Sequence, residues 1–254
     1  LRALDWICAN DVNKPAGRLT YTQLLNTRGG IEADLTVARL AEEKFYIVTG
    51  TGFRTHDLSW IGDHIPAGLD VTLSDVTEDF GTLSLMGPHA RHVLAAVTGT
   101  DVSNAGFPFG HVREIAIAGH TVRALRVTYV GELGWELHMP IRAIGEIFDT
   151  LMAAGAPFGI RPIGYRALES LRLEKGYRAW GSDITPNDTP FEAGLGWAVK
   201  LKKNTDFLGR RALEALNGRS PKKRFAGFTV DDPGIVLLGR ETILRDGEPV
   251  GYLT

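Results

Sequence analysis

Two carboxylates stand out for their surroundings. Asp34 falls inside an alternating run, Ile31-Glu32-Ala33-Asp34-Leu35, directly after the double glycine Gly29-Gly30. Aspartate is a poor strand former, so its place there asks for a reason, although a plain solvent-facing strand residue would satisfy the pattern. Glu136 falls in Tyr129-Val130-Gly131-Glu132-Leu133-Gly134-Trp135-Glu136-Leu137. A carboxylate accepts two parallel N–H bonds from an amino-pyrimidinone edge as it does from a guanidinium. A glycine-rich turn flanked by Tyr129 and Trp135 suits a planar heterocycle. The simpler alternative is that Glu136 is the polar half of an alternating strand.

Other chemistry is missing. There is no G-x-G-x-x-G after a strand, no phosphate-binding G-x-x-x-x-G-K-[ST], no H-E-x-x-H and no G-x-S-x-G. His89 and His92 share a predicted helix, but no third ligand lies near them, so no metal site is expected. The chain has 254 residues, 44% hydrophobic and 23% charged, with a net charge of −2. That balance makes no electrostatic case for nucleic acid, and no long uncharged apolar run suggests a membrane span. The single cysteine, Cys8, excludes an internal disulfide framework.

The elements that must position the carboxylates follow from periodicity. A short amphipathic helix carries Leu1, Leu4, Ile7 and Cys8. Strands are expected over 18–25, 31–40 and 44–49, the first two joined by the turn Asn26-Thr27-Arg28-Gly29-Gly30, whose paired glycines can take positive φ. In the second strand Ile31, Ala33, Leu35 and Val37 share one face and Glu32, Asp34, Thr36 and Ala38 the other. A helix over 55–61, a strand over 82–86 and a helix opened by Pro88 come next, then a hairpin of 111–118 and 120–130 around Gly119 and a strand over 134–139. Pro140 is expected to start a helix with Ile141, Ile144, Ile147, Phe148 and Leu151 on one stripe. Helices over 163–175 and 209–216, a strand over 225–230 after Lys222-Lys223-Arg224, and a hairpin turning at Asp246-Gly247 complete the reading. Strands and helices without regular βαβ alternation argue for α+β. Both ends look cut: the first residue is Leu1, and the final hairpin has an edge with no visible partner.

The run Gly164-Tyr165-Arg166-Ala167-Leu168-Glu169-Ser170-Leu171-Arg172-Leu173-Glu174-Lys175-Gly176-Tyr177-Arg178-Ala179-Trp180-Gly181-Ser182-Asp183-Ile184 adds a further signal. So do Thr189-Pro190-Phe191-Glu192-Ala193-Gly194-Leu195-Gly196-Trp197 and Asp206-Phe207-Leu208-Gly209-Arg210. Together with the Asp34 and Glu136 segments they resemble the aminomethyltransferase (glycine-cleavage T-protein) family over essentially the whole chain. Within it, the stretch from Arg166 to Arg178 followed by Trp180 is most similar to the tetrahydrofolate-binding half of sarcosine and dimethylglycine dehydrogenases.

The resemblance implies an α+β, three-domain cloverleaf around a central folate channel, truncated here at both ends. Residues 1–77 and 181–217 would form the first subdomain, 78–180 the second, and 218–254 the start of a C-terminal β-barrel. It implies that Asp34 is the catalytic aspartate beside the folate nitrogens that receive the one-carbon unit. Glu136 would bind the pterin edge, with Tyr129, Val48 and Trp197 lining the channel. The implied cofactor is tetrahydrofolate, with FAD only in a separate domain outside this chain. The implied partners are a small N-methylamine or its iminium and an N-terminal flavin domain, with no nucleic acid and no membrane. The compartment would be the cytoplasm in a bacterium or the mitochondrial matrix in a eukaryote. One departure is clear: Leu168 stands where the T-protein proper has an arginine before its Asp-Ser-Leu-Arg, here Glu169-Ser170-Leu171-Arg172. That favours capture of an iminium carbon as 5,10-methylenetetrahydrofolate in a flavin-dependent dehydrogenase. The alternatives are a stand-alone aminomethyltransferase of the glycine cleavage system, a related folate-dependent demethylase, or a non-enzymatic folate-binding iron–sulfur maturation protein.

Overall fold

The computed structural model describes residues 1–254. Its centre is two antiparallel sheets set face to face. The first has β1 (Leu19–Leu25), β2 (Ile31–Arg39) and β3 (Phe45–Val48) in the order β1-β2-β3. The second has β4 (Phe80–Met86), β5 (Val112–Ile117), β6 (His120–Leu125) and β7 (Gly134–Pro140) in the order β4-β7-β6-β5.

Each sheet turns a mainly apolar outer face to a core layer, the pattern that period-two alternation produces. In the first sheet Ala33, Leu35 and Val37 of β2 and Leu24 of β1 pack with Ile7 of α1 (Arg2–Ile7) and Ile61 of α2 (Arg54–Asp63). In the second, Trp135, Leu137 and Met139 of β7 pack with Leu85, Val122, Ala124 and Ile115. That layer is covered by α3 (Ala90–Val97) and α4 (Ile144–Gly155), which supply Val93, Leu94, Ile147 and Leu151. A third cluster joins Leu25 and Ile31 to Ile184, Leu195, Phe207 and Leu213, the last from α6 (Arg210–Leu216).

The inner faces meet through a smaller contact. Leu19, Ala38, Tyr46 and Val48 of the first sheet pack on Val112 and Leu125 of the second and on Val127 of the loop after β6. At this end the backbones are also joined: Leu19 N donates to Gly110 O at 2.8 Å and Val112 N to Gly17 O at 2.9 Å. Arg123 lays its guanidinium over the rings of Tyr46, 4.6 Å from the centroid, and Phe80, 5.5 Å away.

Four expectations need correction. Residues 225–230 form no strand: Phe225 N donates to Glu192 O and its ring lies under the Arg178 guanidinium, while Phe228 and Val230 are exposed, so no neighbouring strand pairs with them. The strand begun at His120 stops at Leu125, where pairing with β5 ends. Pro140 closes β7; a short 3₁₀ turn, Ile141–Ala143, intervenes before α4, and it leaves Ile141 exposed, with Phe148 exposed on α4. The fourth concerns Trp135, which is fully buried against Phe107 at 6.1 Å, on the opposite face of β7 from Glu136, so it is core and not part of a heterocycle site. The expected helix over 163–175 is α5 (Tyr165–Glu174), whose one buried residue is Arg172, bonded to Glu169 and Asp183. The final hairpin forms as β8 (Thr242–Arg245) and β9 (Glu248–Tyr252), with Asp246 and Gly247 both left-handed, at φ 55° and 85°.

At the start of β2 the chain is stitched to the 180–188 segment. Ile31 N donates to Asp188 O at 3.0 Å and Trp180 Nε1 to Ile31 O at 2.8 Å. Of the two glycines only Gly29 is left-handed. Gly30 is needed for close approach, because a Cβ there would lie 1.9 Å from Pro186 O and 2.8 Å from Asn26 Nδ2. Gly30→Ala should therefore cost about 2 kcal/mol or more in a denaturant titration. Gly52→Ala, whose Cβ meets nothing within 4 Å, should stay within about 0.5 kcal/mol of the parent.

Candidate functional site

Strand register decides which residues share the gap between the sheets. In β1–β2, Gln23 lies opposite Asp34, Tyr21 opposite Thr36 and Leu19 opposite Ala38; in β2–β3, Val48 lies opposite Thr36 and Tyr46 opposite Ala38. Directly paired residues point to the same side of a sheet. Asp34, Gln23, Tyr21, Tyr46 and Val48 therefore belong to the inner face. In the second sheet Glu136 lies opposite Ser84 and Leu125, and His138 opposite Thr82 and Arg123. Because Leu125 packs against the first sheet, Glu136 is also on an inner face. The fold thus sets the two sequence-selected carboxylates on inner sheet faces, Glu136 directly opposite Leu125 of the apolar contact and Asp34 further along β2. Asp34 lies four residues beyond Ala38 along β2, about 13 Å at the rise of an extended strand.

Asp34 has a built environment. Gln23 Nε2 donates to its Oδ1 at 2.9 Å. The Tyr21 hydroxyl also bonds it, and the Arg178 guanidinium acts on it through charge. Burial dominates and pushes the carboxyl up to about 6, opposed by the Tyr21 and Gln23 hydrogen bonds and by Arg178. The group remains mostly ionised at pH 7. Burial and the nearby Asp34 charge raise the Tyr21 phenol, so it stays a proton donor. Tyr21 stacks on Trp197, with centroids 5.4 Å apart and planes at 21°, and Trp197 is 62% exposed. The exposed indole walls the approach to Asp34.

Tyr129 reaches the same region from the loop between β6 and β7. Its hydroxyl donates to Arg178 O at 3.3 Å, and its ring stacks on Tyr177 at 6.3 Å. Burial pushes its phenol up to about 12. Arg178 is held by Nε to Ala193 O at 2.9 Å and Nη1 to Gly176 O at 2.7 Å, so it ties the Tyr129 loop to the Asp34 face.

Glu136 has a different partner. His138 Nε2 lies 3.6 Å from its Oε2. The His138 Nδ1 is reached by the hydroxyls of Tyr46, at 3.1 Å, and Thr82, at 3.2 Å. The ring is buried, and Nε2 makes no hydrogen bond. Val48 stands apart from the two carboxylates. It lines a cavity of about 350 Å³ bounded by β3, α2 and the 73–77 segment, with His138, Tyr46 and Thr82 in its wall. Asp34, Glu136, Tyr129 and Trp197 do not line that cavity.

Residues 1–203 match the family model described as the GCVT N-terminal domain. The chain belongs to the aminomethyltransferase (glycine-cleavage T-protein) family. It is 41% identical over 266 residues to the mitochondrial sarcosine dehydrogenase of Mus musculus, a match covering 99% of this chain and 29% of that protein. It is 32% identical over 252 residues to an aminomethyltransferase of Listeria monocytogenes serotype 4a (strain HCC23), covering 99% of this chain and 67% of that one. The crystal structure of the glycine cleavage system aminomethyltransferase T from Bartonella henselae superposes with a TM-score of 0.67 at 31% identity, over 84% of this chain and 57% of that one. This family's α+β architecture is therefore the fold of the chain, which spans under a third of the dehydrogenases it matches. No helix is long and apolar enough to cross a membrane.

Three partners escaped the sequence reading of this family member: Tyr21, Gln23 and His138. A carboxyl whose folded value is raised from an ordinary 3.8 to about 6, as that of half-buried Asp34 is, penalises folding once it ionises. Its favourable contribution is complete below about pH 4 and is lost as pH rises through 6. Asp34→Asn should therefore gain stability over the parent between pH 4 and 6, by on the order of 1–2 kcal/mol, and hold the gain above that. A pH-independent difference in urea titrations would contradict the assigned environment.

Proposed function

We propose that this chain binds tetrahydrofolate between its two large sheets and promotes transfer of a one-carbon unit to it. It would act as the folate-binding part of a flavin-dependent dehydrogenase of the sarcosine or dimethylglycine type. The carrying observation is the pair of half-buried carboxylates on inner sheet faces, one pushed up to about 6, the other backed by an imidazole. The residues present fit a reduced pterin. Glu136 offers two acceptor oxygens to adjacent N–H donors. Trp197 and Tyr129 offer ring faces, and Val48 offers apolar surface toward the adjoining cavity.

Tetrahydrofolate supplies the nucleophilic nitrogens, and 5,10-methylenetetrahydrofolate is the product on this reading. Asp34 stabilises the cationic character of the arriving carbon and positions the receiving nitrogen; a preorganised charge aimed at the reacting centre acts strongly in a site screened from water. Tyr21 and Gln23 keep that carboxylate oriented. Oxidation of the N-methylamine to its iminium belongs to a flavin domain outside this segment. The dehydrogenase branch is supported by the higher identity to sarcosine dehydrogenase, 41% against 32% for the aminomethyltransferase, and by Leu168 in α5. The third cluster, joining β1 and β2 to 184–213, supports 1–77 with 181–217 as one subdomain, 78–180 as a second and 218–254 as part of a third. The mitochondrial matrix, or the cytoplasm in a bacterium, is the compartment that goes with this reading.

Two variants of the full-length protein test it. Asp34→Asn should lower the single-turnover rate of 5,10-methylenetetrahydrofolate formation by about a hundredfold while tetrahydrofolate still binds. An unchanged rate removes Asp34 from the mechanism. Glu136→Gln replaces an acceptor by a donor facing an N–H, so the Kd for tetrahydrofolate should rise about tenfold to a hundredfold in calorimetry. Parent-like binding would return Glu136 to the role of a solvated strand residue.

A further inference from the structure

Gln23 is an unusual side chain to bury in the middle of a strand. It is 0% exposed, its Nε2 donates to Asp34 Oδ1 at 2.9 Å, and its Oε1 is buried with no hydrogen-bond partner. A buried amide oxygen without a donor is unfavourable. The reversed amide would set that oxygen against Asp34 Oδ1, acceptor against acceptor, unless the carboxyl carried a proton. In the orientation present, an ionised Asp34 receives a charge-assisted bond from the Gln23 amide. We infer that Gln23 is a positioning residue for Asp34, its amide N–H holding the carboxylate ionised and oriented toward the gap between the sheets. The inference rests on the one-carbon reading above for its functional meaning, and on the strand register for its geometry.

The other groups bearing on Asp34 are few. Tyr21, on the same strand as Gln23, donates its hydroxyl, and Arg178, from the segment after α5, contributes positive charge. Glu32, two residues back on β2, is engaged elsewhere: Asn26 Nδ2 donates to its Oε1 at 2.8 Å, and His56 Nε2 lies 3.8 Å from its Oε2. Glu136 is the carboxylate on the facing sheet. Gln23 is a neutral donor that never titrates, so its removal leaves the charges unchanged. Its effect on Asp34 can therefore be read in isolation: losing a hydrogen bond to the charged form raises a carboxyl's pKa.

Gln23→Met keeps the length of the side chain and removes the N–H. In the full-length protein with ¹³C-labelled aspartate, the Asp34 carboxyl midpoint should move up by about one pH unit from the parent's. The acid limb of the single-turnover rate should move with it. The rate would be about threefold below the parent at pH 6.5 and near the parent at pH 8.5, the recovery expected of a shifted titration. An unmoved midpoint, or a rate loss equal at both pH values, would overturn the inference and mark Gln23 as packing alone. If Gln23→Met does not fold, Gln23→Asn, one methylene too short for the bond, should show the same shift. A midpoint that moves while the rate profile stays fixed would support the Gln23–Asp34 coupling and sink the one-carbon role of Asp34. An unmoved midpoint with an inactive Asp34→Asn would do the reverse.

Discussion

The site depends on the contact between the inner faces of the two sheets. Leu19, Ala38, Tyr46 and Val48 meet Val112, Leu125 and Val127, and backbone bonds from Leu19 to Gly110 and from Val112 to Gly17 lock the same end. Asp34 lies further along β2, while Glu136 stands directly opposite Leu125 of this contact. Alternation then does the placing: every second residue of β2 and β7 beyond that contact must face the gap. The outer faces are committed to apolar layers under α1 and α2 on one side and α3 and α4 on the other. Moving either strand by one residue would turn Asp34 or Glu136 into the core and a leucine into the gap.

The two carboxylates are treated differently by their surroundings. Asp34 loses much of its hydration and receives a phenol, an amide and a guanidinium in exchange, which leaves it charged near neutrality but at a cost to folding. Glu136, as partly exposed as Asp34, has instead one imidazole neighbour, itself anchored by Tyr46 and Thr82. A charge that must act on a reacting centre gains from a poorly solvated site, whereas a carboxylate that only recognises N–H donors needs direction and free lone pairs. The split matches the division of labour proposed for them.

Much of this was legible in the sequence. The alternation Ile31, Ala33, Leu35, Val37 against Glu32, Asp34, Thr36 placed Asp34 opposite the core, and Ala33, Leu35 and Val37 are indeed buried with α1 and α2. The same rule applied to β7 should have sent Trp135 inward; its aromatic character and the adjacent glycines pulled the reading toward a ligand. Gln23 and Tyr21 were missed for a definite reason. Counting back from the Asn26–Gly30 turn sets Gln23 opposite Ala33, but an irregularity between Leu24 and Leu25 shifts the register by one and sets it opposite Asp34. His138 needed the β6–β7–β3 packing, which is non-local. The 225–230 run has strand composition, but composition supplies no partner, and none pairs with it.

The central claim is that one ligand occupies the space between the two sheets. Hydrogen–deuterium exchange of the full-length protein, with and without saturating tetrahydrofolate, tests it most directly. The account predicts that added ligand slows exchange in β2, over Ile31–Arg39, and in β7, over Gly134–Pro140, with the same concentration dependence. Protection confined to one of the two strands, or absent from both while ligand is bound, would contradict it.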